Sequence, residues 1–196
     1  MRLGYKNGFT LIELVITMLV VAIIGGTSSA SIMYVVQLFT YLPVEMQVRT
    51  TAHEVEDVII EGSVDTRGLR YAKSIIDSSA SQVTYSYGYP ATIKYVRFRY
   101  NSNRIYMSTS LDNSTWTTEQ AIPGNVTSDI SVQPKGSQPP IFTYYQSNNV
   151  KFTPGNDVTY IKRIDVNIKV TSSAGGLKSQ PASFTVSSGA DIKQYV

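Results

Sequence analysis

Few residues of this chain have side chains suited to catalysis or to metal binding. Its 196 residues include one histidine, His53, and no cysteine. Thiolate nucleophiles, disulfides and cysteine-ligated metals are therefore excluded. With one histidine, the chain also has too few residues for a zinc cage and only one candidate for a histidine-based triad. His53 lies beside Glu54 and Glu56 without HExxH-like spacing, so we expect a solvated or interfacial side chain. The sequence indicates a protein that is not an enzyme and needs no cofactor.

The carboxylates of the second half of the chain are scattered singly. Asp112-Asn113-Ser114 and Asn156-Asp157 could contribute to a calcium loop, but neither has the spacing of an EF-hand. Asp and Asn more often form turns by bonding to their own backbone. We therefore predict turns at both places and no metal site.

Tyrosines and arginines occur together in one region of the chain, as they also do on nucleic-acid stacking surfaces. Five tyrosines lie between Tyr85 and Tyr100, together with Arg97 and Arg99. On strands, aromatic residues at a period of two more often form core and cross-strand pairs. The formal net charge is only +3, and Arg2 and Lys6 contribute most of it, so no nucleic-acid partner is expected.

One carboxylate differs from all others because an apolar run surrounds it. Glu13 is the only formally charged residue between Lys6 and Glu45. Residues 9–29 supply the roughly 20 helical positions that a bilayer core of about 30 Å requires. A carboxylate in hydrocarbon is costly unless it is paired, so Glu13 needs a cationic partner. The cations Arg2 and Lys6 predict a cytoplasmic N-terminus and a body outside the cytoplasm.

The residues around Glu13 resemble a known processing signal. The string GFTLIE at residues 8–13 closes the short leader MRLGYKNG and opens the apolar run. This arrangement resembles the class III signal of type IV prepilins and of the pseudopilins of type II secretion systems. The resemblance implies that prepilin peptidase cleaves after Gly8 and that the α-amino group of Phe9 is then methylated. It also implies that Glu13 is the assembly glutamate.

Two cationic partners are open to Glu13. The α-amino group of Phe9 in an adjacent subunit is one, and it would make Glu13 sensitive to register in a filament. Phe9 of the same chain is the other, because positions i and i+4 share one face of a helix. The sequence does not separate these pairings.

Two other interpretations of the first segment remain open. A secretory signal peptide would also have a cationic start, an apolar middle and small residues, here at Ser28-Ser29-Ala30. A plain membrane anchor would need the same apolar length. Neither interpretation explains why a carboxylate stands at position 13.

Residues 9–61 are predicted to form one long helix, whose first half is transmembrane and whose second half is amphipathic. Gly25-Gly26 and Pro43 are its weak points, where softening or a kink is expected. Gly62 is a plausible stop. Four apolar residues at intervals of four, three and four form a stripe that should face a globular head: Val48, Ala52, Val55 and Ile59.

The remaining residues, 62–196, are predicted to form a β-rich head. Residues 69–76 read as a short helix or an irregular strand, a bulge is expected near Tyr95, and the chain from Gly189 onward is expected to be loosely held. Alternation is clearest where Ile164, Val166 and Ile168 begin a strand with one buried face. The predicted strands are residues 82–87, 92–100, 104–109, 126–132, 141–145, 164–171 and 183–187.

Together these features predict an α+β, pilin-like fold with three parts: a leader at 1–8, a helix at 9–61 and a head at 62–196. The resemblance implies a structural subunit of a type IV pilus-like or type II secretion filament. Its head looks more like the minor subunits of the J or W type than like a compact major pilin. The alternative is a membrane-anchored extracytoplasmic binding protein, an adhesin or a sensor, with a β-rich head.

The same resemblance implies partners and a location. The partners are other pilin or pseudopilin subunits, prepilin peptidase, an inner-membrane assembly platform and the lipid bilayer. Before assembly the chain would be a single-pass inner-membrane protein with its head outside the cytoplasm. After assembly it would belong to a pilus or pseudopilus.

Overall fold

The computed structural model describes residues 10–89, 92–124, 129–136, 140–153, 157–173 and 181–193. Within these residues the chain forms one long α-helix and ten β-strands that pair antiparallel. The α+β class predicted from the sequence is confirmed. The chain divides into two compact units, Met1–Leu42 and Pro43–Val196.

The helix, α1, spans Leu11–Ile60. Its backbone remains helical at Gly25, Gly26 and Pro43, where the sequence predicts weak points. Proline removes only one helical hydrogen bond, and glycine is tolerated in apolar helices. Phe9, the predicted first helical residue, lies outside the described residues.

Four hydroxyl side chains in the first unit bond to the backbone of their own helix. Each donates to a carbonyl oxygen four residues earlier, over distances of 2.6 to 3.1 Å. Bonds of this kind keep a small polar side chain satisfied without water. The donors are Thr17, Thr27, Ser29 and Ser31.

In the second unit, one face of α1 belongs to the core of the head. Val48, Ala52, Val55 and Ile59 are all fully buried, so the predicted apolar stripe is confirmed. An apolar stripe of this period is what allows a helix to pack on a sheet. Burial of such side chains contributes about 1.5 to 3 kcal/mol each for the larger ones.

The polar side of the same helix segment contacts the last strand of the head. The Phe184 ring lies 5.3 Å from the Arg49 guanidinium carbon and 5.4 Å from the centre of the His53 ring. The Nδ1 atom of His53 is also 3.3 Å from a carboxylate oxygen of Glu56. His53 is therefore interfacial, as predicted.

The helix ends because Gly62 turns the chain sharply. Gly62 has a φ of +104°, and a Cβ atom there would lie 2.2 Å from the carbonyl oxygen of Thr66. Both Glu61 and Gly62 donate their backbone N–H groups to the Asp57 carbonyl. Only glycine fits this left-handed geometry without strain. The predicted stop at Gly62 is confirmed.

The ten strands form two sheets. The first sheet has the order β1-β2-β3-β4-β5, and the second has the order β10-β9-β7-β8 with β6 also paired to β9. Sequential neighbours in the first sheet make it a simple meander. The strands are β1 Ser74–Ser78, β2 Gln82–Tyr87, β3 Lys94–Asn101, β4 Arg104–Ser110, β5 Gln120–Ile122, β6 Ile130–Pro134, β7 Phe142–Tyr145, β8 Lys151–Phe152, β9 Arg163–Ser172 and β10 Ala182–Asp191.

The first sheet corrects one prediction and resolves another. β3 pairs with β2 and β4 in continuous register, so the predicted bulge near Tyr95 is wrong; Ile93 simply precedes the strand. The register shift of this sheet lies in β1 instead, between Ile75 and Asp77. Residues 69–76 contain both predicted alternatives, because a 3₁₀ helix at Leu69–Tyr71 precedes β1.

The second sheet confirms the clearest strand and overturns the prediction for the chain end. In β9 the side chains of Ile164, Val166, Ile168 and Val170 are fully buried. β10 pairs with β9 from Ala182 to Asp191, so the chain from Gly189 is not loosely held within the described residues. Its end is anchored because neighbouring apolar side chains are buried there: Ala190 and Ile192.

Candidate functional site

Glu13 occupies a defined position at the N-terminus of α1. Thr10 directly precedes the helix, and Glu13 is its third residue. The Glu13 Oε2 atom accepts from the backbone N–H and the hydroxyl of Thr10, each over 3.1 Å. In return, the Thr10 Oγ1 atom accepts from the Glu13 backbone N–H over 3.3 Å. This reciprocal arrangement is a capping box.

The capping box gives the Glu13 carboxylate two favourable interactions within its own helix. It satisfies backbone N–H groups that a helix N-terminus otherwise leaves free, and its charge complements the positive end of the helix dipole. Both bonds use Oε2, whereas Oε1 has no hydrogen-bond partner among the described residues. The carboxylate is exposed and keeps one oxygen for a donor from outside the helix.

Sequence reasoning missed Thr10, although its signal is in the sequence. A serine or threonine followed three residues later by glutamate, directly before an apolar run, is a known helix-start pattern. Thr10-Leu11-Ile12-Glu13 fits it. Gly8 and Phe9, the predicted cleavage and methylation residues, lie outside the described residues.

The helix surface that follows Glu13 is apolar and unburied. α1 contains an 18-residue window that is apolar enough to cross a membrane, and none of that window is buried in the protein. Leu14, Met18 and Ile24 are examples, with 51, 65 and 59% of their surface exposed. Such a surface is stable in hydrocarbon or against other apolar helices, and it supports membrane anchoring.

The carboxylates considered for calcium form turns. Asp112 Oδ1 accepts from the backbone N–H groups of Ser114 and Thr115 over 2.9 and 2.8 Å, and from the hydroxyl of Ser110 over 2.9 Å. These bonds hold the pKa of Asp112 well below its ordinary value. Asp157 likewise accepts from the backbone and hydroxyl of Thr159, which lowers its pKa. No cluster of three potential metal-binding side chains occurs among the described residues.

The tyrosines between Tyr85 and Tyr100 are spread over the core and the surface. Tyr85 and Tyr87 are buried, and burial raises the pKa of Tyr85 well above its ordinary value. Tyr89 is exposed, with the Lys73 ammonium 4.8 Å from its ring. The two arginines are also engaged: Arg97 packs on Trp116, and Arg99 pairs with Glu119.

Comparison with known proteins identifies the N-terminal segment. Residues 4–29 match the family model described as the prokaryotic N-terminal methylation motif. This range contains Gly8, Phe9, the capping box and the first half of the apolar run. No curated protein and no solved structure gives a significant match. The chain therefore carries a prepilin-type methylation motif, which supports a type IV pilin-like protein.

Proposed function

We propose that this protein is a structural subunit, a minor pilin or pseudopilin, of a type IV pilus-like or type II secretion filament. One observation carries the proposal: the methylation motif at residues 4–29 overlaps the start of a long apolar helix capped by Glu13. The later part of that helix packs on a β-rich head, as in the pilin-like architecture. A subunit of this kind acts by packing and needs no catalytic group.

Processing would prepare the helix for assembly. Cleavage between Gly8 and Phe9 would remove a leader at residues 1–8 that carries Arg2 and Lys6. Both cations are expensive to move through hydrocarbon, so their removal permits the helix to leave the bilayer. Phe9 would then be methylated and would start the mature helix.

Glu13 would guide incorporation through its available oxygen. Thr10 occupies Oε2, and Oε1 can accept from a cationic N-terminus. The α-amino group of Phe9 in an adjacent subunit is such a donor, and a paired carboxylate costs far less in an apolar filament core than a bare one. A subunit out of register would leave this charge unpaired.

The partners and the location follow from this function. The chain would span the inner membrane once, with its head outside the cytoplasm, and would then enter a pilus or pseudopilus. It would contact prepilin peptidase, an inner-membrane assembly platform and other pilin or pseudopilin subunits.

The mass of the native N-terminus tests the processing step. Mass spectrometry of the protein from its own cells should show a chain that begins at methylated Phe9. Gly8→Ala should leave the leader attached. A working protein that still begins at Met1 would instead indicate the tethered binding protein, and a start at Ser31 would indicate secretion.

Three variants separate assembly from helix capping. Glu13→Ala should be processed normally but should be depleted from sheared filaments, because its carboxylate is gone. Thr10→Val removes the capping hydroxyl and keeps the carboxylate, so incorporation should persist. Glu54→Ala, an exposed glutamate on the same helix, is the matched control. Equal depletion of the Thr10 and Glu13 variants would reduce Glu13 to a capping residue and contradict its assembly role.

A further inference from the structure

A cleft of about 840 Å³ opens in the head, and the proposed filament role makes no use of it. One wall comes from the loop after α1, at residues 63–66, and the other comes from residues 108–120 around the β4–β5 connection. Tyr87 and Met107 also line it. Half of its sixteen lining residues are serine or threonine, and their hydroxyl groups lie within a lining surface that is mainly apolar.

The wall at residues 108–120 is held rigid by its own hydrogen bonds. The Asp112 carboxylate gathers four donors from Ser110, Ser114 and Thr115. Thr109 and Thr117 close the loop, because Thr117 N–H donates to the Thr109 carbonyl and Thr109 N–H donates to the Thr117 hydroxyl, both over 2.9 Å. A wall fixed in advance loses little entropy when a ligand binds.

Trp116 lies in this rigid wall, and Arg97 packs against its ring. The Arg97 guanidinium carbon is 3.8 Å from the centre of the indole ring, which is a stacked cation–π contact. The neighbouring Arg99 bonds to Glu119 over 2.5 Å and fixes the strand end that carries this wall. The ring is mostly buried and offers its remaining exposed part as a firm aromatic surface on the cleft.

The opposite wall is tied to the first sheet. The Ser63 and Thr66 hydroxyls bond to each other over 2.8 Å, and the Thr66 hydroxyl also contacts the Met107 sulfur at 3.6 Å. The Tyr87 hydroxyl donates to the Asp65 carbonyl over 3.5 Å. Both walls are thus built on elements of the sheet, which supports a preformed site.

Charge restricts the kind of ligand that the cleft can take. Lys94 and Asp65 have opposite charges, and the Asp112 carboxylate is already saturated by its turn. A phosphate or carboxylate ligand would find no excess of cations. Most lining hydroxyls already bond within the walls, but the Lys94, Thr118 and Gln120 side chains make no hydrogen bond to another described residue, so a wholly apolar ligand would remove their water without replacing it. The lining therefore disfavours anions and favours a neutral ligand that has both apolar faces and hydrogen-bonding groups.

We propose that the cleft binds a neutral oligosaccharide. Sugar hydroxyls can bond to the side chains of Lys94, Thr118 and Gln120, which make no hydrogen bond to another described residue. The C–H face of a pyranose ring can pack on Trp116, whose indole offers a large apolar surface. This proposal stands on the head alone and does not depend on filament assembly.

The single tryptophan makes the test direct, because all indole fluorescence of the chain comes from Trp116. The full chain is prepared in a zwitterionic detergent, since detergents with sugar headgroups would compete. Maltotetraose, cellotetraose, mannotetraose and chitotetraose are titrated in turn, with a neutral serine-rich peptide as the comparison ligand. At least one oligosaccharide should change the Trp116 emission saturably. Failure of all four at millimolar concentration, or binding of the peptide alone, overturns the proposal.

Calorimetry of variants then locates the binding surface. Trp116→Ala should weaken binding of the active sugar about tenfold or more, because the packed ring is lost. Thr118→Val keeps the shape and should weaken binding several-fold by removing one hydroxyl. The controls are Tyr160→Ala and Thr185→Val, exposed positions outside the cleft, which should bind as the unmodified protein does. Unchanged affinity in both cleft variants would place the sugar elsewhere and contradict the assignment.

Discussion

At the scale of single residues, two acidic side chains organise backbone, one near the N-terminus and one in the middle of the chain. Glu13 caps the start of α1 together with Thr10, and Asp112 holds the turn that carries Trp116. In both cases the carboxylate accepts from backbone N–H groups that would otherwise lack a partner. Neither needs a metal or a neighbouring charge for this local role.

The carboxylate of Asp112 should make stability depend on acid pH. Its folded-state pKa is lowered by bonds from Thr115, Ser114 and Ser110, so protons bind the unfolded chain first. The stabilisation is present above the unfolded pKa of about 4 and is lost as the pH falls toward the folded value. Asp112→Asn should therefore lower the Tm at pH 7, and the difference from the unmodified protein should shrink below about pH 4.

Thermal unfolding followed by circular dichroism measures this difference. Asp57→Asn is the matched control, because a negative charge in the last helical turn is unfavourable and its removal should not lower the Tm. A Tm difference for Asp112→Asn that stays constant down to acid pH would show that the charge is irrelevant to the turn.

At the scale of elements, sequence periodicity predicted the helix and strand segments that bury a single face. The stripe of α1 and the alternation of β9 were predictable because burial alone imposes periods of 3.6 and 2. The bulge near Tyr95 was wrong because register is set by β2 and β4, which the local pattern does not contain. The C-terminal strand was underestimated for the same reason, since β9 extends the pairing to Asp191.

The two candidate sites differ in how far apart their residues lie in the sequence. The capping box is local, so the spacing of Thr10 and Glu13 contains its signal, although we did not predict it. The cleft depends on Arg97 reaching Trp116 and on the loop after α1 meeting the β4–β5 connection. Such contacts join distant parts of the chain, so no sequence motif of fixed spacing predicts them.

The buried stripe of α1 leads to a stability prediction. Ile59 is fully buried, so Ile59→Ala should reduce the free energy of unfolding by about 3 kcal/mol through lost burial and a cavity. Met46 is 67% exposed on the same helix, and Met46→Ala should change it by less than about 0.5 kcal/mol. Denaturant unfolding of the full chain in micelles measures both. Equal losses would show that the stripe does not face the core.

At the scale of the whole molecule, the two sheets of the head are joined by buried hydrogen bonds. The Tyr144 hydroxyl on β7 lies 2.8 Å from the carbonyl oxygens of Ser79 and Gln82, at the turn between β1 and β2. Ile141 N–H also donates to the Ala80 carbonyl in that turn. Burial raises the pKa of Tyr144 far above its ordinary value, so the hydroxyl remains a donor.

Loss of this hydroxyl should loosen the connection between the sheets. Tyr144→Phe removes the hydroxyl donor shared by the Ser79 and Gln82 carbonyls, of which Gln82 still accepts from the Ser79 N–H, and should cost about 1 kcal/mol of unfolding free energy. Tyr160→Phe, at an exposed tyrosine, should cost almost nothing. Hydrogen exchange should show faster opening of the β1–β2 turn in the Tyr144 variant. Unaltered exchange there would mean that the sheets are held together by apolar packing alone.

The capping box at the start of α1 has a consequence for a subunit that has no neighbours yet. Because its carboxylate already accepts two hydrogen bonds from Thr10, a proposed subunit in lipid would have part of the cost of this charge offset before it meets a neighbour. Cells could then keep a standing pool of protomers in the membrane until the proposed assembly platform incorporates them. Growth would add one bond at Oε1 and leave the existing helix start undisturbed.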